Sequence, residues 1–128
     1  MKILLVAFTT FALTMLAAQA GTYPDISIAE LKKVLEEKKS VVIDNCGTAA
    51  WKAGHIPTAI NFEACKSDLL KFLPKDKRTL IVVYGGPTYD EHYIAGKKIE
   101  ALGYTNLKHF SAGVESWEKA GEKSEPGK

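Results

Sequence analysis

Leu80-Ile81-Val82-Val83-Tyr84-Gly85-Gly86-Pro87-Thr88-Tyr89-Asp90 is the stretch on which the fold class turns. Residues 80–84 are apolar without interruption and rich in β-branched side chains. A run of this kind suits a strand buried on both faces of a parallel sheet. Gly85 to Thr88 then read as a loop. Residues 90–102 read as a helix, and Gly103 stands just past its end, where the left-handed conformation is common. A further strand is expected at 107–110. Strand, helix and strand in this order make a parallel crossover.

The pattern repeats toward the N-terminus. Ser27 and Glu30 form a capping box ahead of an apolar stripe at Ile28, Leu31, Val34 and Leu35, which predicts an amphipathic helix. Lys38 and Lys39 sit at its favourable C-terminal end. Val41-Val42-Ile43 is a second buried-strand run, ending at Asp44-Asn45-Cys46-Gly47. Residues 48–53 are expected to form a short helical turn, 54–57 a turn, 59–62 a short strand and 67–73 a helix stopped by Pro74. A final helix or turn is expected at 113–120, with Val114 and Trp117 on one face. Alternating strands and helices predict a layered α/β domain. In such sheets ligands bind beyond the C-terminal strand ends, here 44–47 and 84–88.

The chain of 128 residues is long enough for one domain. Residues 1–20 read as a cleaved signal peptide, with Lys2, a mostly apolar run over 3–16 and a small-x-small site at Ala18-Gln19-Ala20. The expected location is therefore exported, periplasmic or secreted, with no membrane attachment after cleavage. The domain proper is expected at 21–120, and 121–128 as a flexible polar tail. Seventeen Lys and Arg face 15 Asp and Glu, for a net charge of +2. Such a mixed surface offers no basic stripe for nucleic acid, and a monomer is expected. His55, His92 and His109 are scattered, so no metal site is expected. No cofactor is expected either. The Gly85-Gly86-Pro87 loop lacks the Lys-Ser/Thr ending of a nucleotide-binding loop.

Five segments together resemble the rhodanese family. Val42-Ile43-Asp44 resembles its aspartate-ending strand. Gly54-His55-Ile56-Pro57-Thr58-Ala59-Ile60-Asn61 matches the signature GHIPGAIN at every position but Thr58. Residues 80–84 resemble the strand that leads into the active-site loop. Gly103-Tyr104-Thr105-Asn106-Leu107 and Ala112-Gly113-Val114-Glu115-Ser116-Trp117 resemble the closing motifs. The resemblance runs from about residue 28 to 118. It implies a three-layer α/β rhodanese-like fold, with a central parallel five-stranded sheet and helices on both faces.

The resemblance also implies sulfur transfer through a cysteine that opens the loop after the strand at 80–84. Aligned in different ways, that cysteine falls on Tyr84, Gly85 or Gly86; a second family cysteine falls on Tyr89. None of these is a cysteine. A tyrosine hydroxyl, with a pKa near 10, cannot carry a transferable sulfur, whereas a thiolate can. The former active-site loop is thus Tyr84, Gly85, Gly86, Pro87, Thr88, Tyr89 and Asp90, where Asp90 and Glu91 oppose anion binding that loop N–H groups would favour.

Asp44, Asn45 and Cys46 form the expected pocket rim, with Asp44 expected to accept hydrogen bonds from the His55 turn. Cys46 and Cys65 are a candidate disulfide, inert thiols, or the source of a displaced nucleophile. Tyr84 and Tyr89 are expected to fill the old pocket, and Trp51 and Trp117 to pack in the core or at the rim. His55 is expected to be architectural, and His92, near a helix N-terminus, neutral. Three functions stay open at this point. One is a non-catalytic domain that binds a small anion, a sulfur-containing ligand or a protein partner. The second is a sulfurtransferase using Cys46 or Cys65. The third is an altered form of an active enzyme with Tyr84 and Tyr89 in place of cysteines.

Overall fold

In the computed structural model, residues 23–85 and 89–128 are described, with the side chains of 89–93 excepted. The signal-peptide expectation, the loop residues Gly86, Pro87 and Thr88, and the side chains of Tyr89, Asp90 and His92 lie outside them.

Helix α1 (Ile28–Glu37) starts where the capping box placed it. The Ser27 hydroxyl oxygen accepts from the Glu30 N–H at 3.1 Å and donates to the Glu30 carboxylate at 3.0 Å. Strand β1 (Val41–Asn45) follows, then α2 (Thr48–Ala53), β2 (Ile60–Asn61) and α3 (Phe62–Cys65). A 3₁₀ turn, Leu69–Lys71, leads to β3 (Ile81–Gly85), α4 (Tyr89–Ala101), β4 (Leu107–His109) and α5 (Gly113–Lys119). The strands lie in the order β2-β1-β3-β4, and every neighbouring pair is parallel.

Helices cover both faces of this sheet. On one, Leu31 of α1 and Trp117 of α5 pack with Val42, Val82, Tyr84, Ile56 and Phe110. On the other, Phe62 and Cys65 of α3, Leu69, and Ala95 and Ile99 of α4 pack with Ile43, Ile81 and Val83. The alternation along β3 sends Val82 and Tyr84 to the first face and Ile81 and Val83 to the second, as the two-residue period of a strand requires.

Three expectations are corrected. The sheet has four strands among the described residues, and a fifth is reduced to a single parallel bridge between Asp25 and His109. Pro24 has no N–H to give to a ladder, and Ser27 is already committed to capping, so little extended chain remains between them. The helix expected at 67–73 is only a 3₁₀ turn. Its Leu69 and Leu73 are buried while Leu70 is exposed, and Pro74 leaves no room for another turn.

The tail at 121–128 is docked, not frayed. The His55 N–H donates to the Glu125 carbonyl at 2.9 Å and Glu125 returns the bond at 2.8 Å, while the Gly127 N–H reaches the Lys52 carbonyl at 3.0 Å. The Trp117 indole N–H donates to the Lys123 carbonyl at 3.0 Å. Polar composition hid this because main-chain groups make most of the bonds.

Candidate functional site

The C-terminal ends of β1 and β3 lie side by side, with Asp44 opposite Tyr84 and Asn45 opposite Gly85. What these residues do is divided by the pleat. Asp44 and Tyr84 point into the core, at 1% and 0% exposure. The Tyr84 hydroxyl donates to Asp44 Oδ2 at 2.5 Å and accepts from the Ile56 N–H at 3.1 Å. Asp44 Oδ1 accepts from the Cys46 N–H at 2.8 Å. Burial, and then the Asp44 carboxylate beside it, push the Tyr84 phenol far above its ordinary value of 10.0. A buried carboxylate needs such donors, because an unpaired one is costly. Asp44 therefore meets the His55 turn through Tyr84 rather than directly. Tyr84 fills the core beside Phe110, ring edge to face at 6.4 Å between centroids; it does not line a ligand cleft.

The turn after α2 is built from its own side chains. The Trp51 ring stacks on His55 with centroids 4.2 Å apart. A His55 Nδ1 contact to the Trp51 carbonyl at 2.8 Å and a Trp51 indole bond to the Ala59 carbonyl at 3.1 Å fix the rings. His55 is 5% exposed, which fits an architectural part. Thr58 has φ +70°, a left-handed conformation that a β-branched residue adopts at a cost.

A cleft of about 480 Å³ opens beyond the strand ends, and Asn45, Cys46, Gly47, Glu63, Lys66 and Lys98 are among its lining residues. Glu63 Oε2 accepts from the Thr48 N–H at 2.7 Å, and this bond holds its carboxyl below the usual value. Gly47 has φ +95° and leads the chain under Glu63 into α2. The Asn45 Nδ2 and Asn61 Oδ1 atoms are buried with no partner among the described residues. Lys98 stands 5.9 Å from the centroid of the Phe62 ring. The sequence placed Asn45 and Cys46 at this rim; Glu63, Lys66 and Lys98 were not singled out. Lys66 and Lys98 come from segments whose helical phase and termination had to be known first.

No disulfide joins Cys46 and Cys65. Cys65 is buried against the α3–α4 face, and burial pushes its thiol up. Cys46 is partly exposed and packs toward the other core cluster. Neighbouring strand ends suggested the pair, but their side chains serve different faces. Among the described residues no group of three His, Cys, Asp or Glu is arranged to hold a metal ion, and no helix is long and apolar enough to cross a membrane.

The family model described as a rhodanese-like domain matches residues 27–120. The chain belongs to the rhodanese-like family. Solved structures share its fold. One is the BH2092 protein of Bacillus halodurans, 26% identical with a TM-score of 0.61, the match covering 81% of this chain and 77% of that one. Another is the Alr3790 protein of Anabaena, 22% identical with a TM-score of 0.64, covering 77% and 89%. A thiosulfate sulfurtransferase from Pseudomonas aeruginosa is 19% identical with a TM-score of 0.61, over 83% of this chain but 21% of that protein. No curated protein matches the sequence.

Proposed function

We propose that this rhodanese-like domain works in an exported compartment, as a monomer, by binding a small anionic or sulfur-containing ligand or a protein partner. It does not turn over thiosulfate. The observation that carries this reading is the end of β3. Tyr84 is committed to the core through Asp44 and Ile56, and Gly85, the next residue, has no side chain. A covalent sulfur relay needs an activated nucleophile within reach of the donor, and the strand that leads into the family's loop supplies none. The two hydrogen bonds of Tyr84 also speak against a cysteine at 84 in an unaltered ancestor, since a thiol is too short to serve both partners. Gly85 or Gly86 is then the position at which a nucleophile is missing, and Gly85, next after Tyr84, is the one to restore. The lysines at the cleft, with Glu63 satisfied by Thr48, favour an anionic ligand.

A second reading is favoured by one observation: Cys46 lines the cleft. On that reading its thiolate replaces the missing nucleophile. Cys65 is unsuited to the part, being buried with its thiol harder to ionise.

The test is a thiosulfate:cyanide assay on reduced protein, beside Gly85→Cys and Cys46→Ser. The proposal expects no turnover from the unaltered chain and none lost in Cys46→Ser. Turnover gained only by Gly85→Cys supports it further. Turnover by the unaltered chain that disappears in Cys46→Ser establishes the second reading instead. Export is tested separately, by mass spectrometry of secreted protein, with Gly21 expected as the first residue.

A further inference from the structure

The strand-end cleft does not stop at Glu63. A second cleft, of about 410 Å³, continues it between the 3₁₀ turn and the C-terminal half of α4. The two share Lys66, Ser67 and Lys98. Large apolar side chains stand exposed in each, Ile94 at 53% in the first and Leu70 at 56% in the second. Isolated exposed apolar side chains need no explanation. Two of them spaced along one continuous groove do, because they give an extended chain two apolar footholds.

Charge says what kind of chain. Segment 66–78 carries Lys66, Lys71, Lys75, Lys77 and Arg78. Its two carboxylates are already engaged, Asp68 with Lys71 at 3.5 Å and Asp76 with Arg78 at 3.4 Å. Glu63 is held by Thr48. Lys66 and Lys98, at the junction of the two clefts, form no salt bridge among the described residues, although Lys66 is near enough to Glu63 to favour its carboxylate. The inner end of the groove is lined by Asn45, the last residue of β1. An ammonium pair between two apolar footholds is complementary to an acidic segment with apolar side chains on either side of its carboxylates.

We infer that the groove from Leu70 through Lys66 and Lys98 to Asn45 docks an extended acidic segment of a partner protein, leading that segment into the strand-end cleft. The inference rests on the binding reading above and names its partner. An anionic bilayer offers the same charge, but a groove with an inner end fits a single chain better than a flat surface.

The experiment uses the ¹⁵N-labelled full domain and three synthetic peptides: alternating Glu and Leu, alternating Lys and Leu, and alternating Glu and Ser. Amide shifts at 66–71 and 94–102 are expected with the Glu–Leu peptide and not with the Lys–Leu peptide. Binding is expected to weaken roughly tenfold in the Lys66→Glu/Lys98→Glu double variant, the size expected when two rim charges turn repulsive. Leu70→Ser is expected to bring the Glu–Leu affinity down toward that of Glu–Ser. All three side chains lie at the surface of the groove, and a thermal melt confirms that the variants fold. Equal binding of Glu–Leu and Lys–Leu peptides, or shifts that miss the groove, overturns the inference. So does sedimentation with phosphatidylcholine–phosphatidylglycerol vesicles through the same lysines without any peptide response. Thiosulfate turnover by the unaltered chain overturns the non-catalytic reading while leaving the peptide result as it is, so the two failures are separable.

Discussion

The two faces of the sheet are finished differently. On the Tyr84 face, polar groups that enter the core are paired there: Asp44 with Tyr84 and Cys46, the Tyr84 hydroxyl with Ile56, and the Trp117 indole with Lys123. The docked tail adds main-chain bonds across His55. On the α3–α4 face the core is apolar, but its rim is open, with Leu70 and Ile94 exposed and Asn45 carrying an unsatisfied donor at the strand end. Complete pairing is what a face needs in order to hold a fold, because each buried polar atom left alone costs about 1–3 kcal/mol. An open rim with apolar footholds and unpaired lysines is what a face needs in order to bind. On the proposed reading, scaffold and binding surface are separated by the thickness of one sheet.

The largest expected effect breaks the sealed face outright. Val82 is fully buried in the middle of β3. Val82→Asp puts an unpaired carboxylate there, at a cost of several kcal/mol against a total stability of about 5–15 kcal/mol. No cooperative thermal transition by circular dichroism is expected. A cooperative melt near that of the unaltered protein would show that β3 is not the central buried strand.

Tyr84→Phe is the next test. It keeps the ring and removes the hydroxyl between Asp44 and Ile56, at an expected cost of about 2–3 kcal/mol in urea unfolding. The pH dependence carries the sign. The folded pKa of Tyr84 lies above its unfolded value of 10.0. The folded state therefore holds the phenolic proton more tightly, and this contribution is whole below pH 10.0 and is lost as pH rises beyond it. Alkaline destabilisation should be steeper in the unaltered protein than in Tyr84→Phe. Parallel alkaline curves would mean that Tyr84 titrates as an ordinary phenol and that the face is less sealed than the geometry says.

The scaffold was largely legible, for reasons that Tyr84 illustrates. Uninterrupted β-branched runs at 41–43 and 80–84 can only be buried strands in a chain this short, and the Ser27–Glu30 box fixed the start of α1. The period of two along 80–84 already put Tyr84 on the same face as Val82, which assigns it to the core; reading it as a loop residue ignored that signal. The groove was much less legible. It depends on segment 67–73 forming only the 3₁₀ turn Leu69–Lys71 instead of a helix, and so on where Leu70 points, which apolar spacing alone does not fix over so few residues. The docked tail was invisible because its partners are main-chain atoms of Lys52 and His55.

A smaller effect, of opposite sign, comes from Thr58. It is the one departure from the GHIPGAIN signature and it has a positive φ. Glycine takes that conformation without a Cβ penalty, at some cost in unfolded-state entropy. Thr58→Gly is expected to stabilise the domain by ~1 kcal/mol, seen as a higher urea midpoint with an unchanged slope. A lower midpoint would mean that the contact of the Thr58 N–H with Glu125, at 3.4 Å, depends on the threonine backbone in a way glycine loosens.

The smallest effect on stability sharpens the contrast between the faces most directly, because it compares two side chains of one kind. Cys65 is 3% exposed in the α3–α4 core, and burial raises its thiol pKa. Cys46 sits partly exposed on the strand-end cleft. Alkylation requires an accessible thiolate, so burial counts twice against Cys65, in access and in ionisation. In native, reduced protein, iodoacetamide should modify Cys46 first, with Cys65 reacting only as fast as the domain opens. Peptide mapping after timed quenching reads the order. Modification of Cys46 should change the melting temperature little, since the added group has the cleft to occupy, whereas Cys65 labelling should track unfolding in urea. If Cys65 reacts as readily as Cys46 in the native state, the α3–α4 core opens on its own and the groove beside it is not a preformed surface. If Cys46 is the slower of the two, the strand-end cleft is closed in solution, and an acidic segment led along Lys66 and Lys98 would have nowhere to arrive.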